Sequence, residues 1–275
     1  MPIPMAETRP SRSRWTAPWD TVRELMRYRI LVVALVGRQL KARYRGSILG
    51  FLWTVLNPLL LMGVYALVFR VYVRIEVPNY ALFLLCGLLP WTFFATSVGE
   101  GVNAVVSGGT LVTKSLFPAH ILPTVTVIAN LVNYLLSLPV LAFFMALYGV
   151  PFHASLLAFP LVVALQTMFT WGLTLTLASI NVHFRDVQHI LTNVIALWFF
   201  LCPIVYSTDH IPESFWWVQA LNPLGVMVDA YHGLFLEGRV PTLEVLGSLA
   251  GFALGSVAIG LVVFERYRDS FAELV

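Results

Sequence analysis

The chain has 275 residues, 59% of them hydrophobic and 11% charged, with a mean hydropathy of +0.81. A soluble domain carries about a quarter charged residues, so neither a soluble globule nor a disordered chain fits this composition. The net charge of +3 is too small and too concentrated at one end for a nucleic-acid surface; two cysteines, Cys86 and Cys202, each inside an apolar run, argue against a disulfide framework or a thiolate metal site.

Residues 1–19 read as a disordered basic tail. Thr21 and Glu24 fit a Thr-x-x-Glu capping box that opens a helix over 20–46. Val22, Leu25, Met26, Val33, Val36, Leu40 and Tyr44 can share one face of it. Arg23, Arg27, Arg38, Lys41 and Arg45 lie mostly off that face. This pattern predicts an amphipathic helix on the cytoplasmic membrane surface, its basic groups at anionic headgroups. Its apolar stretch, Ile30 to Val36, is short and runs into Arg38 and Lys41, which does not match a signal peptide.

A bilayer core ~30 Å thick takes about 20 apolar residues of helix. Runs poor in Asp, Glu, Lys and Arg predict spans at about 47–70 and 79–99. Residues 115–184 then carry no formal charge over seventy positions, too long for one span. The turn at Tyr148-Gly-Val-Pro-Phe-His153 divides them into spans at about 121–147 and 156–180. Further spans follow at about 188–207 and 243–264. Residues 209–242 are too polar for a span and too apolar for a free loop. Pro212, Pro223 and Gly225 split them into short helices that either dip in from outside or lie as a lid on the outer surface, with Phe215, Trp216 and Trp217 on one piece and Asp229 and Tyr231 on the next. With the N-terminus inside, fourteen Arg and Lys fall inside and three, Arg70, Arg74 and Arg239, fall outside. The expected fold is an all-α integral membrane protein with six transmembrane helices (47–268), an N-terminal interfacial helix, short re-entrant helices between spans five and six, and both termini cytoplasmic.

No Gly-x-x-x-x-Gly-Lys-Ser/Thr is present, so the chain has no phosphate loop of its own. No span has an acidic or basic residue near its centre, which disfavours proton- or ion-coupled transport. No Gly-rich filter or charged ring argues for a channel. The His residues lack ligand spacing, and His183, Asp186 and His189 read as a solvated loop rather than a metal or base site. No catalytic residue, metal or cofactor is expected on this chain.

Three patterns then stand out: Lys41-Ala-Arg-Tyr44-Arg45-Gly46-Ser47-Ile-Leu49-Gly50-Phe-Leu-Trp53-Thr-Val-Leu-Asn57-Pro58, Leu111-Val-Thr-Lys114-Ser-Leu-Phe117-Pro118-Ala-His-Ile-Leu122-Pro123, and Asn181-Val-His-Phe184-Arg185-Asp186-Val187 followed by Pro203-Ile-Val-Tyr206. In this order they resemble the membrane subunits of ABC-2 type transporters, in particular the branch that exports O-antigen, capsule and teichoic acid. The resemblance covers about residues 22–268. It implies a homodimeric permease in the bacterial cytoplasmic (inner) membrane. Two copies of a separate ATPase subunit would hold ATP and Mg, and the substrate would be a lipid-linked glycan.

By the same resemblance, Phe184, Arg185, Asp186 and Val187 match a short coupling helix. The basic helix carrying Arg38, Lys41, Arg43 and Arg45 also contacts the ATPase. The family passage is lined by aromatic residues, which here points to Tyr65, Phe69 and Tyr72 on span one and Trp91, Phe93 and Phe94 on span two. Headgroup anchoring explains the same aromatics without a substrate. Phe215, Trp216, Trp217, Asp229 and Tyr231 fall in the outer gate, and Lys114 at the inner entrance, where it is placed to attract a lipid diphosphate or simply to set topology. Two other readings stay open: an ABC-2 exporter of drugs or small lipids, and a membrane acyl- or glycosyltransferase using Glu100, Asp186 and His189, or Asp209, His210 and Asp229.

Overall fold

The computed structural model describes residues 23–109 and 118–274, and all regular structure among them is helical. The tail at 1–19, Thr21 of the capping box and Lys114 lie outside the described residues.

The chain is helical from Arg23, turns at Tyr28 and continues as α1 (Arg29–Tyr44). Val32 and Val36 are the buried side of α1, with Leu25, Leu35 and Leu40 beside them, seated on Ile121, Val125 and Ala129. Met26 and Val33, expected on that face, are exposed. The i, i+4 row through 32, 36 and 40 is the ridge that packs on a neighbouring helix, so Val32 takes the place assigned to Val33. Gly46 (φ 80) and Gly50 (φ 45) then hold the left-handed region, which only glycine adopts freely. Span one consequently starts as α2 at Trp53 rather than at 47. It is α-helical over Trp53–Tyr65 and continues as a π-helix over Ala66–Tyr72.

Next come α3 (Tyr80–Gly101), the short α4 (Ala104–Ser107), α5 (Ile121–Leu147) and, after a 3-10 turn at Ala154–Ala158, α6 (Phe159–His183). The helix α7 (Asp186–Phe200) leads to 3-10 turns at Thr208–His210 and Glu213–Phe215, then α8 (Trp216–Leu221) and α9 (Pro223–His232), which ends in a π-helix at Gly233–Glu237. The chain finishes with α10 (Leu243–Tyr267) and α11 (Phe271–Leu274).

Five helical stretches among the described residues are long and apolar enough to cross a membrane: Trp53–Tyr72, Tyr80–Gly101, Ile121–Leu147, Ala154–His183 and Leu243–Tyr267. The expected span at 188–207 is not one of them. The helix α7 has 15 residues, about 22 Å at ~1.5 Å per residue. Pro203 has no N–H to offer the carbonyl of Phe199, and the amide of Cys202 takes that carbonyl in a tighter turn at 3.2 Å. The chain then leaves the helix with Cys202, Pro203, Ile204 and Val205 all buried.

Around α3 several of the other helices assemble. It packs on α2, α5, α6, α7 and α9, and it is buried over most of its length. By contrast α2 fully buries only Pro58, and about half of its length is exposed. The closest helix pair is α6 with α10. A Cβ on Gly172 would fall inside the Ser256 and Val257 backbone, and one on Gly260 would strike the Gly172 carbonyl. Small residues let apolar helices approach to backbone contact, which replaces the missing hydrophobic drive in lipid. The Ser256 hydroxyl adds a bond to the Phe169 carbonyl at 2.8 Å.

Candidate functional site

Irregular backbone buried in an apolar body must find every hydrogen bond internally. Side chains take three of the carbonyls within residues 200–206. The Asn222 amide donates to the Leu201 carbonyl at 3.0 Å, and the Tyr80 hydroxyl donates to the Val205 carbonyl at 2.7 Å. The Tyr206 hydroxyl donates to the Phe200 carbonyl at 3.0 Å. Trp198 closes the set by donating its indole N–H to Asn222 Oδ1 at 2.8 Å. The broken end of α7 is thus sewn to the start of α9. Residues 209–242 indeed fold as short helices, and the two main ones differ. Phe215, Trp216 and Trp217, at and just before α8, are exposed. The helix α9 instead buries Leu224, Met227, Val228 and Tyr231.

Beside this seam lies a cavity of about 360 Å³ between α2, α3 and α7, walled by Tyr65, Trp91, Thr92, Ile195, Phe199 and Phe200. Tyr65 stacks on Phe199 with ring centroids 5.2 Å apart, and Trp91 meets the same ring edge-on at 5.5 Å. The six aromatics expected along a path are therefore divided. Tyr65 and Trp91 line the groove. Phe69 sits against Tyr65 and Phe94 against Trp91. Phe93 turns to the other side of α3 and stacks on Tyr134 at 5.6 Å. Tyr72 lies on the surface, 70% exposed. Phe199 and Phe200 were missed. Their adjacent rings in an apolar run were the available signal, but nothing in the sequence says which wall of α7 meets α2.

Tyr231 is fully buried. Its hydroxyl donates to Gln166 Oε1 at 2.6 Å, and Gln166 Nε2 donates to the Pro90 carbonyl at 2.8 Å. This chain of bonds ties α9 to α6 and to α3. Asp229 and Glu237 share Arg239, at 3.3 and 2.8 Å. The same Arg239 donates its amide to the Gly233 carbonyl and so closes the π-helical end of α9.

At the opposite end of the helices, Phe184, Arg185 and Asp186 are exposed and Val187 is half-buried against the core around α3. Phe184 is extended between α6 and α7. His183 braces this connection, because its Nε2 lies 3.0 Å from the Ser270 hydroxyl and its ring packs on Tyr267 at 4.6 Å. On α1, Arg38, Lys41 and Arg45 are exposed. Arg43 instead pairs with Glu100 of α3 at 2.6 Å, and Asn130 of α5 donates to the same carboxylate at 3.1 Å. His120, at the start of α5, is buried against Phe264 and 3.9 Å from Glu24. Burial pulls its imidazole down to about 4, with Glu24 opposing and Arg268 adding to the fall.

The site thus combines exposed polar segments at one end, a broken backbone with side-chain partners toward the other, and an aromatic groove between them. Residues 30–236 match the family model of the ABC-2 type transporter, and the chain belongs to that family. It is 46% identical over 256 residues to the O-antigen export system permease protein RfbA of Myxococcus xanthus, covering 92% of this chain and 98% of the relative. A Klebsiella pneumoniae protein of the same name is 34% identical over 89% of this chain and 95% of its own. The polysialic acid transport protein KpsM of Escherichia coli is 26% identical over 88% and 95%.

Proposed function

We propose that this chain is the membrane subunit of an ATP-driven exporter that moves a lipid-linked polysaccharide of the O-antigen or capsule type out across the bacterial cytoplasmic membrane. The observation that carries this reading is the aromatic groove between α2, α3 and α7, on a chain matched over nearly its whole length by an O-antigen export permease. A sugar ring presents apolar C–H faces within a ring of hydroxyls. Aromatic surfaces hold the faces without fixing the hydroxyls, which suits a polymer that must slide.

Two copies face one another across the exposed sides of α2 and α7, so that the groove of each becomes half of a shared passage. Both termini are cytoplasmic, with α1 on the inner surface and the broken end of α7, α8 and α9 forming the outer gate. ATP and Mg reside on two copies of a partner ATPase. That partner bears on Phe184-Arg185-Asp186-Val187 and on the exposed cations Arg38, Lys41 and Arg45. A push on the tight 184–186 connection moves α7, one wall of the groove. The seam at Asn222 carries the movement on to the gate.

The test is affinity purification in mild detergent from the native host, followed by subunit identification and ATPase assay. One phosphate-loop ATPase per permease, with glycan accumulating inside depleted cells, is the expected result. Recovery of the chain alone, even after crosslinking, would sink the proposal.

A further inference from the structure

A second cavity, about 330 Å³, lies nearer the start of α2 than the aromatic groove, bounded by the end of α1 and by α2, α3 and α5. Its size falls in the range of small-molecule sites, about 300–1,000 Å³. Its polar wall is made of Asn57, Thr92, Thr96, Asn130, Asn133 and Ser137. Trp53, Phe93 and Tyr134 supply aromatic surface. Trp53 and Asn57 are exposed, so the cavity opens at the protomer surface.

Charge on this wall is cancelled. Arg43 is the cation there, and both oxygens of Glu100 take its guanidinium, at 2.8 and 2.6 Å. What remains is neutral and consists of amides and hydroxyls. Two of its atoms, Asn130 Oδ1 and Asn133 Nδ2, are buried with no hydrogen-bond partner among the described residues. Asn133 meanwhile accepts from the Tyr44 hydroxyl at 3.0 Å, which fixes its amide with the N–H groups uncommitted. Orphaned buried donors and acceptors are rare because each costs free energy until something binds it. A wall of amides, hydroxyls and aromatic faces, with no uncommitted charge, suits a saccharide and not a phosphate.

Thr92 lines both cavities. On α3 it stands between Trp91, which faces the groove, and Phe93, which faces this pocket. We propose that the pocket is an inner loading site for the first sugar of the lipid-linked polymer, meeting the export groove at Thr92. This rests on the exporter reading and adds to it a place where the saccharide, rather than the lipid diphosphate, is read. A sugar bound here stands beside α2, and displacement of α2 opens its way past Thr92 into the groove.

The test uses the full permease–ATPase complex in lipid nanodiscs free of sugar-based detergent. Equilibrium binding is compared for two radiolabelled probes, polyprenyl diphosphate carrying one N-acetylhexosamine and polyprenyl diphosphate alone. Wild type should prefer the glycosylated probe by about tenfold, as two or so hydrogen bonds to a neutral ligand allow. T92V, nearly isosteric, and N133L, which replaces an amide of the wall by an apolar side chain, should each lose most of that preference while still assembling with the ATPase. If N133L fails to assemble, T92V alone decides. Equal binding of both probes by wild type, or a preference unchanged in the variants, overturns the proposal. Outward glycan movement by wild-type vesicles is measured in parallel. Its presence with an unchanged preference sinks the pocket alone, whereas its absence sinks the exporter reading as well.

Discussion

The indole N–H of Trp198 donates to Asn222 Oδ1 at 2.8 Å, across 24 residues of chain, and joins the last turn of α7 to the first residue before α9. The same Asn222 donates to the Leu201 carbonyl, so one side chain satisfies the break in α7 and anchors the returning helix. Its buried position leaves no water to take over either role.

Replacing Asn222 by Leu should therefore destabilise the protein by about 2–4 kcal/mol, because both the Leu201 carbonyl and the Trp198 N–H lose their partner in a buried setting. Thermal unfolding of the purified protein, read against the level of folded chain in membranes, checks this. A loss below half a kcal/mol, on the order of an ordinary surface change, would mean the seam is not structural.

The crossing of α6 and α10 gives a paired expectation. Gly172→Ala forces a methyl into the Ser256 backbone and should cost about 1–3 kcal/mol or prevent folding. Gly251→Ala and Gly255→Ala, on the same α10 but facing open space, should leave the folding of the protomer intact. Equal tolerance at all three positions would contradict the close approach.

Arg43 and Glu100 hold α1 against α3, with side chains 29% and 44% exposed. Solvent screening limits such a pair to about 0–1 kcal/mol. Arg43→Glu should cost little stability but misplace α1, and the swap Arg43→Glu with Glu100→Arg should recover much of the lost export. An Arg43 used mainly to grip the ATPase would show no recovery in the swap.

Acidification should act through His120. The folded imidazole titrates near 4 and the unfolded one near 6.5. Between those values the unfolded chain binds the proton and the folded chain does not. The contribution is intact above pH 6.5 and is lost as pH falls toward 4, by about 3 kcal/mol at most. His120→Leu removes that part of the slope. Melting midpoints of the two proteins between pH 7.5 and 4.5 measure it, and parallel curves would refute it.

Arg185→Ala and Asp186→Ala strip the exposed connection between α6 and α7 without touching the core. Glycan moved per ATP hydrolysed should fall at least about fivefold, the lower range of a coupling free energy between two sites. An unchanged ratio would relocate the coupling contact elsewhere on the inner surface.

Much of the helical order was legible because lipid imposes a simple rule: long uncharged runs become helices of spanning length. The run 121–147 coincides with α5, and 79–99 lies within two residues of α3 at each end. The turn at 148–153 also stands where Gly149 and Pro151 put it. The fifth run is helical only over Asp186–Phe200, because hydropathy counts residues and does not register that Pro203 breaks the ladder. Asn222, Tyr80 and Gln166 gave no signal as single polar residues in apolar surroundings, since their meaning depends on carbonyls far away in sequence. Tyr231 showed the reverse. It stands in a polar segment, and only packing shows that its hydroxyl closes a buried bond to Gln166.

The sequence by itself determined the apolar character of this chain, the order and approximate bounds of most of its long helices, and the family to which it belongs. Those follow from composition, run length and local motifs, all of which are one-dimensional. The tertiary structure decided which aromatics face a common groove, which cation is spent on an internal pair, and how a broken helix survives at depth. Helix faces acquire a partner only when the helices cross, and a hydrogen bond between Trp198 and Asn222 or Tyr80 and Val205 exists only once packing has brought the two together.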